Sequence, residues 1–433
     1  MDDLLLLVHR IPYPPNKGDK IRSYHLLKHL VQHYRVHLGT FVDDEDDWQH
    51  LPHVKSLCAS SHFARLDPRW ARLRSLGALL GNRSLSQDYY SDGGLRAWMA
   101  QTMREQRIGR IMVFSGPMAQ YAEAYPQARR VVDFCDVDSD KWRQYAQRKS
   151  WPMRLLYAYE AERLLRYERA VAAVSDAALF VSEPEAALFR ALAPESGNRI
   201  GHFGNGVDTA YFTPHAGYAN PYAAGERAVV FCGAMDYWPN VDAVCWFARE
   251  IFPAVLAREP LARFYIVGAR PSAEVQALSV LPGIRVTGTV PDVRPYVAHA
   301  ALSVAPLRIA RGIQNKVLEA MSMAKAVVVS PQALEGISAE TGRELLLAED
   351  AAQFAATVNQ ALAPAADGAG HALDDIGRAA RARVEASYGW AARLAPVEAL
   401  LESGLDANPA SAADENRIAA AANAAAAPTW NQA

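Results

Sequence analysis

The chain has 433 residues, of which 51% are hydrophobic and 21% charged, a composition typical of a globular protein with room for two domains. Its formal net charge of −2 argues against broad nucleic-acid binding, which requires a strongly basic surface. Four scattered cysteines argue against a disulfide framework or a zinc site and fit a reducing, cytoplasmic setting. The sequence contains no apolar run of the roughly 18 residues that a membrane span requires.

The first segments alternate between strand and helix patterns. The short apolar run at residues 4–9 predicts a strand. It does not fit a signal peptide, which has a basic start and a longer apolar core. Residues 24–31 predict the buried face of a helix, and residues 35–42 a second strand. The loop at residues 10–20 has three prolines and one glycine. Strand-to-helix loops of α/β folds often bind ligands, although a loop built for a tight turn fits this pattern equally well.

Residues 63–83 combine basic and apolar side chains. Five arginines and one aspartate are interleaved with Trp70, Leu73, Leu76, Leu79 and Leu80. This pattern predicts a basic amphipathic helix, which can lie on an anionic lipid surface. An ordinary surface helix whose leucines face the core is the alternative, and it would have the same sequence pattern.

Four aspartates follow closely on a predicted strand at residues 130–134. They are Asp133, Asp136, Asp138 and Asp140. A carboxylate at the end of a strand can act as a general base or hold a substrate hydroxyl, and some of these residues can be helix N-caps. Their spacing differs from that of an EF-hand and no histidine is near, which argues against a metal site. We expect at least one of the four to contact a ligand.

The second half of the chain repeats the alternation of strands and helices. A glycine-rich stretch at residues 201–208 leads into it through a linker that reaches about residue 225. Strands are predicted at residues 228–232, 263–267, 284–286, 302–305, 326–329 and 345–347. Such alternation indicates a parallel sheet covered by helices on both faces, with a ligand at the carboxyl ends of the strands. Neither a dinucleotide fingerprint nor a Walker loop is present, so redox and ATPase functions have little support.

The clearest candidate for a binding site lies at residues 305–321. A buried strand is followed by a loop that contains Gly312 and by a helix that begins at Asn315. A helix N-terminus favours an anion, because its N–H groups are unpaired and its dipole is positive there. Lys316 adds a positive charge, and Glu319, one turn further on, can bind ribose hydroxyls. The segment therefore predicts a site for a nucleotide diphosphate.

The domain boundaries follow from these patterns. We predict an N-terminal domain over residues 1–210 and a C-terminal domain over residues 211–385. A helix at about residues 386–402 is expected to pack back on the first domain. The alanine-rich composition of residues 403–433 predicts a disordered tail.

At this point the residues resemble a known family. Residues 311–321 resemble the donor motif of retaining GT-B glycosyltransferases of the family 4 type, in which two glutamates stand eight positions apart. Glu319 matches the second glutamate, whereas Arg311 occupies the place of the first. Residues 205–208 resemble the interdomain Asn-Gly-Val-Asp of that family, and residues 14–22 its N-terminal glycine loop. The resemblance extends over nearly the whole chain to about residue 402.

A narrower resemblance is carried by three further segments. Residues 133–142, 233–242 and 290–296 are similar to a subgroup of sugar transferases associated with bacterial exopolysaccharide loci of the PEP-CTERM sorting type. The order and spacing of these segments, more than any one of them, carry the likeness. It implies a role in exopolysaccharide or surface polysaccharide biosynthesis.

The family resemblance implies a fold, an activity and a set of partners. The implied fold is α/β with GT-B architecture, in which two doubly wound Rossmann-like domains face a central cleft. The implied reaction moves a sugar from a nucleotide diphosphate sugar to an acceptor hydroxyl with retention at the anomeric carbon, without a metal or other cofactor. The acceptor is a glycan or a lipid-linked molecule, which suits a cytoplasmic protein in peripheral contact with an anionic membrane. A GT-B nucleotide-sugar 2-epimerase and a catalytically silent binding subunit remain alternatives, and the oligomeric state is left open.

The resemblance also implies roles for individual residues. The donor-binding set is Gly18, Gly233, Asn240, Arg311, Gly312, Asn315, Lys316 and Glu319. The acceptor-side set is Asn16, Lys17, Asp19 and Lys141. Asp136 or Asp133 is expected to orient the acceptor hydroxyl, and with Glu319 they form the catalytic set. Lys316 and Arg311 are expected to replace an Arg and Lys pair that relatives carry after the first strand of the second domain.

Overall fold

The structure, a computed structural model, describes residues 1–15, 17–79, 81–310, 313–363 and 370–403. The chain divides into two compact units. The N-terminal unit comprises residues 1–205 together with the described chain from Arg393, and the C-terminal unit comprises residues 206–392. The predicted tail lies outside the described residues from residue 404 onward.

A parallel sheet forms the centre of the N-terminal unit. Its strands are β1 (Asp3–Val8), β2 (Arg35–Val42), β3 (Ser60–Arg65), β4 (Arg110–Phe114), β5 (Arg129–Cys135), β6 (Ala177–Phe180) and β7 (Ile200–His202). They lie in the order β3-β2-β1-β4-β5-β6-β7. The leucines of β1 are fully buried, because β1 pairs with a strand on each side and lies in the middle of the sheet.

Helices connect these strands. They are α1 (Gly18–His33), α2 (Leu51–Leu57), α3 (Pro68–Ser75), α4 (Leu85–Tyr89), α5 (Gly93–Gln106), α6 (Asp138–Arg148), α7 (Met153–Val174) and α8 (Glu183–Leu192). Because the strands are parallel, the connection between successive strands returns the chain to the edge of the sheet where the strands begin. The loops that leave the carboxyl ends of β1 and β5 therefore lie along one edge.

The C-terminal unit has a second parallel sheet. Its strands are β8 (Arg227–Cys232), β9 (Ala262–Val267), β10 (Ile284–Gly288), β11 (Leu302–Ala305), β12 (Val327–Val329) and β13 (Leu346–Leu347), in the order β10-β9-β8-β11-β12-β13. Its helices are α9 (Trp238–Trp246), α10 (Phe252–Arg258), α11 (Ala273–Ala277), α12 (Arg294–His299), α13 (Asn315–Ser322), α14 (Pro331–Leu334), α15 (Ala351–Leu362) and α16 (Gly370–Ser387). The predicted alternation of strand and helix is confirmed for this half.

The last described helix, α17 (Trp390–Ser403), returns to the N-terminal unit from Arg393 onward. Its end is held by the Tyr34 hydroxyl, which donates to Glu402 at 2.6 Å, and by Arg110, whose Nη2 donates to Glu402 at 2.7 Å. None of the helices in the described ranges is long and apolar enough to cross a membrane.

The prediction of one helix over residues 63–83 is wrong. Its first residues belong to β3, α3 covers only Pro68–Ser75, and a 3-10 turn follows at residues 76–79. Asp67 caps α3 by accepting from the backbone of Arg69, which explains why the helix begins there. Leu80 lies outside the described residues. The alternative, in which the leucines face the core, is wrong for Leu73, Leu76 and Leu79, which are between 42% and 59% exposed, because the side chains that α3 and the turn bury are small. Those buried residues are Ala71, Ser75 and Ala78.

Candidate functional site

The C-terminal unit contains a pocket at the carboxyl ends of its central strands. β8 and β11 are neighbours in the sheet, so the loop after each strand opens at the same edge. The cavity there has a volume of about 460 Å³. Its lining includes Gly233, Asn240, Asn315, Lys316 and Glu319, all of them predicted donor-side residues. We call it the β8–β11 pocket. Arg311 and Gly312 lie outside the described residues.

Helix α13 points its N-terminus at this pocket. Its first residue, Asn315, is exposed, and no side chain among the described residues caps the helix at Gln314. The first backbone N–H groups of a helix have no partner within the helix, so they can bind an anion in the pocket. This position of α13 therefore favours an anion such as a phosphate in the pocket.

Lys316 and Glu319 share the wall of the pocket and influence each other. Burial lowers the pKa of Lys316, and the charge of Glu319 opposes that change. Burial raises the pKa of Glu319 to about 7, opposed by the charge of Lys316. The Lys316 ammonium lies 3.3 Å from Gln314 Oε1 and 5.6 Å from the centre of the Phe231 ring. Both charges are partly desolvated, so a polar ligand with complementary groups would gain from binding here.

Two glycines allow the loops after β8 and β9 to approach each other closely at the floor of the pocket. Gly268 has φ of +156°, and a Cβ on it would lie 1.7 Å from the Gly233 carbonyl oxygen. A Cβ on Gly233 would lie 2.7 Å from Asn240 Nδ2. That same Nδ2 donates to the Ala234 carbonyl at 2.9 Å. Asn240 is 4% exposed, and it therefore positions the loop after β8. Its Oδ1 is buried with no hydrogen-bond partner among the described residues.

The N-terminal unit gathers charged residues after β1. His9 and Arg10 follow that strand directly, and both pair with Asp19 of α1, at 3.4 Å and 3.0 Å. Burial opposes ionisation of Asp19, but the hydrogen bond from His9 and the charges of His9 and Arg10 hold its pKa well below the usual range. Lys17 and Gly18 are exposed at the start of α1, where a Cβ on Gly18 would meet nothing within 4 Å. Asn16 lies outside the described residues.

A second group of charges follows β5. Lys141 Nζ lies 2.7 Å from Asp136 and 3.1 Å from Asp138, both half-buried carboxylates. Burial raises the pKa of Asp138, while Lys141 lowers it. His9 also lowers it, which places the residues after β1 and β5 in electrostatic contact. We call His9, Asp19, Asp136, Asp138 and Lys141 the β1–β5 cluster.

Asp133 has a different environment from Asp136. Its side chain is fully buried, and Arg22 of α1 donates to it from Nε at 2.7 Å and from Nη2 at 3.2 Å. Arg22 also donates to the side chain of Asn205 at 2.9 Å and to the Phe203 carbonyl at 3.0 Å. With its oxygens engaged by Arg22 and by the Cys135 backbone N–H, Asp133 contributes to the packing of the unit.

Sequence reasoning missed His9. Its ring is 5.7 Å from the Phe114 ring in a stacked arrangement, and its Nδ1 is buried with no hydrogen-bond partner among the described residues. The available signal was its position, because it directly follows the first buried strand, where α/β folds place ligand-binding side chains. A histidine paired with an aspartate at that edge can accept a proton from a hydroxyl group.

One family of known proteins matches the part of the chain that contains this pocket. Residues 226–364, which include the whole β8–β11 pocket, match the family described as glycosyl transferases group 1. No match is found among curated protein sequences.

Most of the chain is similar in structure to several solved proteins. Anabaena HepE in complex with UDP has a TM-score of 0.58 at 15% identity, over 93% of this chain and 100% of that chain. Sucrose-phosphate synthase from Thermosynechococcus elongatus has a TM-score of 0.56 at 17% identity, over 98% and 100%. WaaG, a glycosyltransferase involved in lipopolysaccharide biosynthesis, has a TM-score of 0.52 at 13% identity, over 93% and 100%. These likenesses confirm the predicted α/β fold with two Rossmann-like domains of the GT-B type.

Proposed function

We propose that this protein is a glycosyltransferase that binds a nucleotide diphosphate sugar in the β8–β11 pocket. The observation that carries the proposal is the placement of Lys316, Glu319 and the open N-terminus of α13 around one cavity. The cavity supplies what such a donor needs: unpaired N–H groups and a cation for the diphosphate, and a carboxylate for the ribose hydroxyls. The match of residues 226–364 to glycosyl transferases group 1 supports the same assignment.

The charges of the pocket suit the chemistry of sugar transfer. The leaving group is a nucleoside diphosphate, and the negative charge that develops on it must be stabilised in the transition state. The N–H groups of α13 and the ammonium of Lys316 are held in place before the reaction, so they stabilise that charge at little reorganisation cost. We assign Glu319 to the ribose, and we keep Arg311 as a further cation for the phosphates or the sugar.

We assign the acceptor hydroxyl to the β1–β5 cluster of the N-terminal unit. Asp136 and Lys141 are both partly exposed, and the buried Nδ1 of the neighbouring His9 has no hydrogen-bond partner among the described residues. We therefore propose Asp136 and His9 as the groups that orient the acceptor. Asp133 is proposed as a positioning residue that acts through Arg22.

Three finer parts of the proposal rest on the sequence resemblance. They are retention of anomeric configuration, independence from metal ions, and a role in exopolysaccharide or surface polysaccharide biosynthesis. The HepE structures contain UDP or UDP-glucose, which makes uridine nucleotides the first donors to examine.

The test is to incubate the purified chain with nucleotide sugars and a lipid-linked or glycan acceptor. Transfer of sugar supports the proposal. Isomerisation of the donor without transfer would indicate an epimerase, and binding without turnover would indicate a silent binding subunit. NMR of the product reports retention or inversion, and the same assay with EDTA reports whether a divalent metal is needed.

We further propose that the N-terminal unit docks on an anionic membrane. Trp70 and Leu73 of α3, and Leu76 and Leu79 of the following turn, are between 42% and 68% exposed. Exposed arginines of α3 accompany them: Arg69, Arg72 and Arg74. An outward face with apolar and basic side chains is favourable against anionic lipid headgroups.

A second element extends this surface. Trp151, just before α7, is 77% exposed, and Leu155, in the first turn of α7, is 61% exposed. The Tyr159 hydroxyl, one turn beyond Leu155, donates to the Ala78 carbonyl at 3.2 Å. The first turns of α7 therefore lie near the turn that follows α3, and we propose that the two exposed apolar groups act together. A protein in peripheral contact with the cytoplasmic face would meet a lipid-linked acceptor there.

Vesicle flotation tests this docking. Wild type should float with vesicles that contain anionic phosphatidylglycerol and remain behind with neutral phosphatidylcholine. The variant Trp70→Ala/Leu73→Ala should lose most of the binding, whereas the control Val280→Ala, at a residue 83% exposed in the other unit, should not. Binding that is equal for the two vesicle types, or equal for the two variants, would contradict it.

A further inference from the structure

A cluster of metal-binding side chains lies away from both candidate sites. His29 and His33 are four positions apart near the end of α1, so they lie on one face of the helix. Glu398 reaches them from α17. Its carboxylate oxygens are 3.3 Å from His29 Nε2 and 3.1 Å from His33 Nδ1. One ligand atom from each residue falls within 4.8 Å of the others.

We infer that His29, His33 and Glu398 form a binding site for a Zn²⁺ ion. Two imidazole nitrogens and one carboxylate oxygen are ligands that zinc accepts, with bonds of about 2.0 to 2.2 Å. In a tetrahedral site such bonds place ligand atoms roughly 3.3 to 3.5 Å apart. The two nitrogen-to-oxygen distances, one to each oxygen of the carboxylate, are close to that spacing, and side-chain rotations would bring the three groups around one ion. The softer ligand set also disfavours Mg²⁺ and Ca²⁺, which prefer oxygen ligands.

The surroundings suit an ion that enters from solvent. The His29 side chain is 10% exposed, whereas those of His33 and Glu398 are 40% and 31% exposed. One side of the site is therefore packed and the other is open, so a water molecule can take the fourth position. The two imidazole rings are 5.0 Å apart and tilted by 43°, which leaves room between them.

The location assigns the metal a structural role. α1 begins at Gly18, at the edge of the sheet that holds the β1–β5 cluster, and its 16 residues carry His33 about 24 Å towards the opposite edge. An ion there cannot contact a substrate at that cluster. It would instead join α1 to α17, whose interior contains Pro396 and so lacks one backbone hydrogen bond. The ion would stabilise the packing of α17 against α1 in the N-terminal unit.

The experiment titrates Zn²⁺ into full-length protein that carries no affinity tag and has been stripped with EDTA. We expect one equivalent to bind and to raise the melting temperature, and Mg²⁺ to do neither. His33→Ala and Glu398→Gln should each weaken Zn²⁺ binding by at least about tenfold. Both positions are partly exposed, so the metal-free variants should fold, which circular dichroism checks. The matched control His215→Ala, at an exposed histidine of the C-terminal unit, should bind as wild type does.

Several results would overturn the site. No saturable binding by wild type would show that the three side chains form only hydrogen bonds and ion pairs. Unchanged affinity in either variant would place the ion elsewhere or remove one ligand from the set. UDP binding by the zinc-free protein should equal that of the zinc-loaded protein, so failure of this inference is distinguishable from failure of the proposed donor site.

Discussion

The charged side chains of the two candidate sites differ in how they are paired and buried. In the β1–β5 cluster each carboxylate faces a cation: Asp19 faces Arg10, and Asp136 and Asp138 face Lys141. The β8–β11 pocket has two charged residues, Lys316 and Glu319, in its described lining, and burial shifts the pKa of both towards the neutral form. Paired charges hold a framework in place, whereas partly desolvated charges gain most when a ligand supplies the missing partners. Under the proposed function, the β1–β5 cluster is prearranged, whereas the β8–β11 pocket is completed by its ligand.

The largest effect should come from breaking the buried pair of the N-terminal unit. Asp133→Ala leaves the Arg22 guanidinium buried without its counter-charge. We expect the free energy of unfolding to fall by about 3 to 5 kcal/mol, measured by urea denaturation. The control Asp136→Ala removes a partly exposed partner of Lys141 and should cost at most about 1 kcal/mol. Equal losses in the two variants would contradict the distinction between these aspartates.

The next largest effect should be on donor affinity. Lys316→Ala removes the cation beside the N-terminus of α13 while leaving the exposed surface of the unit intact. A hydrogen bond to a charged group contributes about 1.5 to 3 kcal/mol, so UDP should bind roughly ten to a hundred times more weakly by calorimetry. The control Arg285→Ala removes an exposed cation of the same unit. If both variants bind UDP as wild type does, Lys316 has no role in the pocket.

A steric change at the pocket floor should have a smaller effect. Gly233→Ala brings a Cβ within 2.7 Å of Asn240 Nδ2, whose bond to the Ala234 carbonyl must then lengthen. Overpacking of this kind costs about 1 to 3 kcal/mol of unfolding free energy, and UDP affinity should fall with it. Gly217→Ala is the control, because a Cβ there meets nothing within 4 Å. A wild-type melting temperature for Gly233→Ala would show that the loop rearranges freely.

The smallest effect that we expect is a dependence of UDP affinity on pH. The pKa of Glu319 is raised to about 7, so lowering the pH through 7 protonates the carboxylate in the free protein. Ribose hydroxyls donate more strongly to the ionised form, so UDP affinity should fall below pH 7 by at most about tenfold per unit and be constant above it. The variant Glu319→Gln corrects for titration of UDP itself. A wild-type profile parallel to that of Glu319→Gln would remove Glu319 from the ribose site.

The local sequence pattern predicted the structure correctly where only a few neighbouring residues decide it. The run from β11 through α13 to β12 was readable because apolar strands, a glycine loop and helical spacing follow one another directly. The same segment placed Lys316 and Glu319 three positions apart, so their shared location on one side of a helix needed no tertiary information. The parallel order of the sheets followed from the alternation of the elements.

The sequence pattern could not predict the environment of a side chain whose partner lies far along the chain. Asp133 and Asp136 look equivalent in sequence, yet Arg22, 111 positions away from Asp133, separates a buried residue from a partly exposed one. In residues 68–79, apolar and basic side chains alternate in a way that fits either an inward or an outward leucine face. Packing of the small residues Ala71 and Ala78 decides which face is covered.

The amino-acid sequence by itself determined the alternation of strands and helices in the C-terminal half, and it identified the start of α13, with Lys316 and Glu319, as a candidate site. These depend on hydrophobic periodicity and helix spacing, which act over a few residues. Only the tertiary structure decided that Asp133 is buried, that His9 joins Asp19, and that Glu398 meets two histidines of α1. Each of these depends on which segments pack together, and burial free energy summed over a whole unit, not local propensity, selects that packing.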